Sequence, residues 1–198
     1  MKTKIITIMV LVFFTAISCK NDKKTDKADD TIDSVTETAR TMPDAIVEKD
    51  ETIKVELMAK SNSNVTGEII FIQKDNMVTM TASLQGLTPG EHAIHLHETA
   101  DCSSDDATST GGHWNPEDKQ HSKWGDENGY HRGDIGNLTA DADGNATMTF
   151  ETDQWAIGGD DENKNIIGRG IIVHEKADDF TTQPTGAAGA RVACGEIK

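Results

Sequence analysis

The chain has 198 residues, of which 35% are hydrophobic and four are proline, values that suit one globular domain with an appendage. Its formal net charge is −15, and the sequence contains no run of basic residues longer than the pair Lys23 and Lys24. Because phosphate binding requires clustered Lys and Arg, the composition argues against a nucleic-acid partner.

The first residues have the pattern of a secretory signal. Lys2 and Lys4 precede an apolar run over residues 5–17, which Ser18 and Cys19 follow. A helix over this run would span roughly 20 Å, less than the roughly 30 Å hydrocarbon core of a membrane, so a permanent transmembrane helix is disfavoured. Residues 1–18 are therefore predicted to be a cleaved signal peptide.

Cys19 is the predicted point of attachment to a membrane. Residues 16–19 resemble the lipobox of bacterial lipoproteins, in which the cysteine becomes the lipidated first residue, although Ala16 stands where leucine is usual. Ordinary cleavage near Ser18, which would leave Cys19 free, is the alternative. Residues 19–50 contain no aromatic side chain and few large apolar ones. This segment is predicted to be a flexible tether, with a short exposed helix over 32–39 as the alternative.

Residues 51–198 show the alternating pattern of β-strands. Ile53, Val55 and Leu57 alternate with Lys54, Glu56 and Met58, as in a half-buried strand. Asp143 and Gly144 form a hairpin-turn signature. Further strands are predicted at 65–72, 77–84, 93–97, 135–140, 146–151 and 166–173. About eight strands without helical periodicity predict an all-β sandwich or Greek-key barrel, with long functional loops over 98–134 and 175–193.

The chemistry is carried by histidines. His95 and His97 lie two apart in a predicted strand, so both side chains project from one face and can reach one ion. The remaining candidate ligands lie in the two long loops or beside them: His113, His121, His131, Asp134 and His174. Six histidines and one carboxylate are enough for two metal ions, provided that one histidine is shared.

The ligand types narrow the choice of metal. Imidazole favours copper and zinc, whereas calcium and magnesium prefer sets of oxygen ligands. Three histidines with Asp134 suit a tetrahedral structural zinc, and the remaining histidines suit a nitrogen-only copper site.

Cys102 and Cys194 are the only cysteines after residue 50. In an oxidising compartment this even number predicts a disulfide, and two buried thiols are the alternative. The bridge would tie one long loop to the strand that carries Cys194.

Taken together, five segments resemble the successive motifs of the copper/zinc superoxide dismutase family. They are residues 90–98 (GEHAIHLHE), 112–116 (GHWNP), 131–138 (HRGDIGNL), 172–179 (IVHEKADD) and 189–195 (GARVACG). The resemblance covers about residues 52–197 and implies an eight-stranded flattened Greek-key β-barrel. It also implies one copper and one zinc per chain, with superoxide as the substrate.

The resemblance assigns a role to each matching residue. It implies that His95, His97 and His174 bind copper, that His113 bridges copper and zinc, and that His121, His131 and Asp134 complete the zinc site. Asp178 matches the carboxylate that links His95 to His121. Arg191 matches the arginine beside copper, whose guanidinium binds a small anion. With His113 it forms the expected catalytic pair, whereas His92 matches no ligand position and is predicted to be structural.

These features predict an exported superoxide dismutase of the cell envelope, lipid-anchored through Cys19 and facing the periplasm or the cell surface. The rival hypothesis is an envelope copper or zinc carrier without turnover, because a histidine cluster of high affinity also sequesters metal. A homodimer and a copper chaperone are the protein partners that this interpretation allows, and the sequence identifies neither.

Overall fold

The computed structural model describes residues 50–198 as an antiparallel β-barrel. Its eight strands are β1 (Glu51–Ala59), β2 (Thr66–Lys74), β3 (Met77–Gln85), β4 (Gly90–His97), β5 (Gly136–Ala140), β6 (Ala146–Thr152), β7 (Gly170–His174) and β8 (Arg191–Glu196). One short 3-10 helix spans Thr108–Thr110. The predicted signal peptide, Cys19 and all but the last residue of the predicted tether lie outside the described residues.

The strands close into a barrel in the order β1-β2-β3-β6-β5-β4-β7-β8, and β8 pairs with β1. Hairpins join β1 to β2 and β2 to β3, whereas the connections from β3 to β4 and from β6 to β7 cross over strands that lie between. These crossings give the Greek-key arrangement, so the predicted all-β fold class is confirmed. In residues 50–198 no helix is long and apolar enough to cross a membrane.

The barrel interior is filled by the inward side chains of the alternating strands. In β1, Val55 and Leu57 are buried while their neighbours are exposed, and the same alternation recurs in β3. Trp155 and Phe71 are the largest aromatic side chains that are fully buried there, with their rings 6.3 Å apart. Removing these apolar faces from water provides the main driving force for closing the barrel.

Three long connections leave the barrel, one more than predicted. Residues 98–135 join β4 to β5 and residues 175–190 join β7 to β8, as expected, while residues 153–169 join β6 to β7. The apolar pair Ile166 and Ile167 suggested that β7 begins at residue 166, but the strand begins at Gly170. Ile166 is buried and Ile167 packs against the core from a turn, in which the Arg169 N–H donates to the Ile166 carbonyl.

Candidate metal centre

Strand β4 places two histidines on the side of the barrel wall opposite the core. Ile94 and Leu96 belong to the hydrophobic core, so His95 and His97, which alternate with them, face the other way. Both histidines are nonetheless fully buried. The long loops therefore cover this part of the outer face and exclude water from it.

His113 and His174 complete a first cluster around these two residues. His113 forms an isolated β-bridge with His97, because the returning loop pairs again with the end of β4. His174 ends β7, beside β4, where the register of β7 against β8 shifts. The ring of His113 lies 4.0 Å from that of His95 and 5.1 Å from that of His97, centre to centre.

A second cluster is built entirely by the 98–135 loop. Asp134 Oδ1 accepts a hydrogen bond from His113 Nδ1 at 2.9 Å, and Asp134 Oδ2 lies 3.0 Å from His121 Nδ1. His131 Nδ1 lies 3.3 Å from Asp134 Oδ1. In each cluster the candidate ligand atoms lie within 4.8 Å of one another, and His113 belongs to both.

Unpartnered nitrogen atoms test whether these clusters suit metal ions. Burying a polar atom without a partner is costly. Yet six buried imidazole nitrogens have no hydrogen-bond partner among the described residues: His95 Nδ1, His97 Nε2, His113 Nε2, His121 Nδ1, His131 Nδ1 and His174 Nε2. Every predicted histidine ligand contributes one of them. Nitrogen donors only in the first cluster, and nitrogen with a carboxylate in the second, fit copper and zinc respectively.

The second ring nitrogen of several of these histidines is held by the protein. His97 Nδ1 lies 3.0 Å from the Gly111 carbonyl, and His174 Nδ1 lies 3.5 Å from the Gly189 carbonyl. Asp178 binds two rings at once, because its carboxylate accepts from His95 Nε2 and from His121 Nε2, each at 2.8 Å. These contacts fix the ring orientations and leave the opposite nitrogens available to a metal.

The protonation of the histidines differs between the clusters. Burial lowers the pKa of His113 to about 4 against the raising effect of Asp134, and burial also holds the pKa values of His97 and His174 well below 6.5. Burial acts the same way on His121, but the carboxylates of Asp134 and Asp178 on either side of the ring outweigh it and raise its pKa to about 9. Without metal, His97, His113 and His174 are therefore neutral at pH 7 and His121 is charged.

Burial favours the neutral form of Asp134, but the adjacent imidazoles of His113, His121 and His131 hold its pKa well below the usual range. The pKa of Asp178 is held down in the same way by His121 and His95. Both carboxylates are therefore ionised, as metal ligation or the orientation of a ligand requires.

Arg191 begins β8 next to the first cluster. Its Nη1 donates to the Ala107 carbonyl at 2.8 Å and to Thr110 Oγ1 at 2.9 Å, and its Nη2 donates to the Gly111 carbonyl at 2.8 Å. That last carbonyl is also the one His97 contacts. The guanidinium is thus fixed by the 98–135 loop, and some of its N–H groups have no acceptor among the described residues.

The predicted disulfide is present. Cys102 and Cys194 are bonded, with their Cα atoms 5.9 Å apart and a separation of 92 positions in sequence. The bond ties the 98–135 loop to β8 close to Arg191, so it fixes the part of the loop that binds the guanidinium. The Cys102 N–H also donates to Glu196 Oε1 at 2.9 Å, which adds a second link to β8.

His92 belongs to neither cluster. Its Nδ1 lies 2.8 Å from the His174 carbonyl and its Nε2 lies 2.8 Å from the Thr88 carbonyl. It therefore joins the β3–β4 connection to the end of β7, in keeping with the structural role predicted for it.

Two contacts had no signal in the sequence. The Gly111 carbonyl accepts hydrogen bonds from both His97 and Arg191. Because main-chain carbonyls are chemically the same at every position, the sequence cannot indicate which of them makes such a contact. Gln183 binds the main chain of His121 from a loop 62 residues away. Only the folded chain brings these groups together.

The fold and the two clusters define a β-barrel whose long loops bury two groups of residues able to hold metal ions. The family model for copper/zinc superoxide dismutase (SODC) matches residues 65–197. The chain belongs to the copper/zinc superoxide dismutase family, so the resemblance seen in its motifs is confirmed.

Two solved structures share this fold. The crystal structure of the clock protein EA4 is 36% identical, with a TM-score of 0.64, and the match covers 75% of this chain and 96% of that one. A double mutant of a SOD-like protein from Bacillus subtilis is 33% identical, with a TM-score of 0.65, over 73% of this chain and 95% of that one. Neither name states that superoxide is turned over, so membership of the family leaves activity to be tested.

Proposed function

We propose that this protein is a superoxide dismutase that binds one copper and one zinc ion per chain. The observation that carries the proposal is the set of six buried, unpartnered imidazole nitrogens, which fall into two clusters joined by His113. A barrel held together only by packing and hydrogen bonds would gain nothing from leaving these atoms without partners.

His95, His97, His113 and His174 would hold copper, and His113, His121, His131 and Asp134 would hold zinc. When bound, copper supplies alternating one-electron oxidation and reduction, which converts one superoxide to oxygen and a second to hydrogen peroxide. The residues of the chain then have three tasks, namely to bind the anion, to supply protons and to keep the geometry rigid.

Arg191 would bind the anion. Three of its hydrogen bonds are made to the 98–135 loop, which leaves N–H groups on the same planar guanidinium for a small anion next to the first cluster. Because these bonds and the disulfide hold the group in place before substrate arrives, little ordering remains to be done when it binds.

His113 would move a proton. Its Nε2 faces the first cluster and has no partner among the described residues, so this nitrogen would take up a proton whenever it is not bound to copper and would deliver it to the reduced anion. The Nδ1 side of the ring, 2.9 Å from Asp134 Oδ1 in the second cluster, would keep the ring in place meanwhile.

For location, we propose export and anchoring to an envelope membrane through lipidated Cys19. The disulfide is typical of an oxidising compartment, and the signal pattern agrees with that. Metabolic labelling with a radioactive fatty acid should mark the wild-type chain and leave a Cys19→Ser variant unlabelled.

The test of the enzyme is superoxide dismutation by the purified protein, measured with metal analysis. We expect about one copper and one zinc per chain, no turnover with zinc alone, and full turnover when copper is restored beside zinc. Complete copper occupancy with turnover no better than that of a free copper chelate would instead identify a carrier or storage protein.

A further inference from the structure

His121 is the zinc-cluster histidine whose main chain depends most on a distant side chain. Of the other histidines in that cluster, His113 forms a β-bridge with His97, and the His131 carbonyl accepts from the Asp134 N–H within one turn. His121 lies in a stretch of the 98–135 loop without helix or strand. In the described part of the chain, its N–H and its carbonyl pair with no other main-chain group.

Gln183 supplies both missing partners. Its Oε1 accepts from the His121 N–H at 2.9 Å, and its Nε2 donates to the His121 carbonyl at 2.7 Å. An amide side chain carries an acceptor and a donor side by side on one planar group, so it can occupy both positions as a neighbouring strand would. Gln183 is exposed as a residue, but its amide is folded onto the buried His121.

The same loop also holds the ring of His121. Asp178 Oδ1 accepts from His121 Nε2 at 2.8 Å. Gly186 lies against both groups with φ +64°, and a Cβ atom built on it would come within 2.6 Å of His121 Nε2 and closer still to Asp178. The 175–190 loop therefore grips one zinc ligand at its ring and at its main chain, with no spare volume.

We propose that Gln183 is a positioning residue for zinc, and this inference rests on the proposed zinc site. The amide sets where His121 Nδ1 lies relative to His113, His131 and Asp134. Without it, the His121 segment has more positions available and must be ordered when zinc binds. Groups that orient a ligand in this way typically contribute about 10-fold to 100-fold to metal affinity. Because Gln183 is exposed, we expect its contribution to zinc affinity to lie near the lower end of this range, about 10-fold.

Gln183→Met is the test variant, because methionine is similar in length but cannot make either hydrogen bond. Gln73→Met is the matched control. The Gln73 amide also binds main chain on both sides, accepting from the Ile157 N–H at 2.6 Å and donating to the Asp75 carbonyl at 3.2 Å, and it contacts neither cluster. Both variants lose two amide hydrogen bonds to main chain, so both should lose similar stability.

Zinc dissociation constants of the metal-free proteins are measured by competition with a chromophoric chelator. Cobalt(II) placed in the zinc site gives an absorption spectrum that reports ligand geometry. We expect Gln183→Met to weaken zinc binding about 10-fold and to alter the cobalt spectrum, while Gln73→Met changes zinc binding by less than about twofold. Denaturant unfolding of both metal-free variants shows whether they remain folded.

The outcomes separate this inference from the proposed function. If wild-type protein binds zinc tightly and Gln183→Met matches it in affinity and in cobalt spectrum, the role of Gln183 is wrong and the zinc site stands. If wild-type protein binds no zinc, or if His121→Ala binds it as well as wild type, the zinc site itself is wrong. Equal weakening in both Gln variants would show a general loss of rigidity and would also overturn the inference.

Discussion

The buried histidines should make the stability of the metal-free protein depend on pH with a maximum near 6.5. The pKa of His113 falls from 6.5 to about 4 on folding. Between these values the unfolded chain binds a proton that the folded one does not, so stability falls as pH falls. The difference corresponds to about 3 kcal/mol at roughly 1.4 kcal/mol per pH unit. His97 and His174, whose pKa values are also lowered, act in the same direction.

His121 has the opposite effect above the maximum. Its pKa is raised to about 9, so its contribution is complete below pH 6.5 and is lost as pH rises through 9. The two effects together give stability that declines on both sides of about pH 6.5. The carboxylates of Asp134 and Asp178 add a further loss only when pH falls below their ordinary range near 4.

The assay is denaturant unfolding of the protein stripped of metal, at pH values from 4.5 to 9, against the variant His113→Phe. We expect the free energy of unfolding to depend on pH more steeply in the wild type than in the variant on the acid side. The difference in slope should correspond to the uptake of up to one proton on unfolding. A wild-type stability that is constant or rises between pH 6.5 and 4.5 would refute the reasoning. Metal-loaded protein serves as the control, because a bound ion displaces the proton of His121 and should remove the decline above pH 6.5, while the decline on the acid side remains.

Two further predictions concern the loop over the first cluster. Arg191→Lys should reduce the rate of dismutation at least about 10-fold with metal content unchanged, because one ammonium cannot reproduce three fixed hydrogen bonds and also bind an anion. Unchanged turnover would exclude the role given to Arg191. The double variant Cys102→Ser, Cys194→Ser should lower the free energy of unfolding by about 4 kcal/mol, because the disulfide closes a long loop. A loss below about 1 kcal/mol, measured by denaturant unfolding, would contradict this.

The strands were predictable because their signal is local. Alternation of apolar and polar residues depends only on the two-residue period of a strand, so Val55 and Leu57 were identified as inward-facing from their neighbours alone. The connection over 153–169 was not predicted, because Ile166 and Ile167 are apolar for a reason that the local sequence does not show. They pack against the barrel from a turn instead of continuing a strand.

The chain by itself determined the types of ligand, the spacing of His95 and His97, and the cysteine pair, because chemistry and short-range spacing are written in the residues. The family resemblance implied that His113 is shared and that Asp178 links two rings, but neither follows from the spacing of the residues, and the tertiary structure supplies both placements. These placements join residues that are far apart in sequence, through loops that have no periodicity. The contacts of Arg191 and Gln183 also depend on main-chain atoms, whose positions exist only once the barrel has closed.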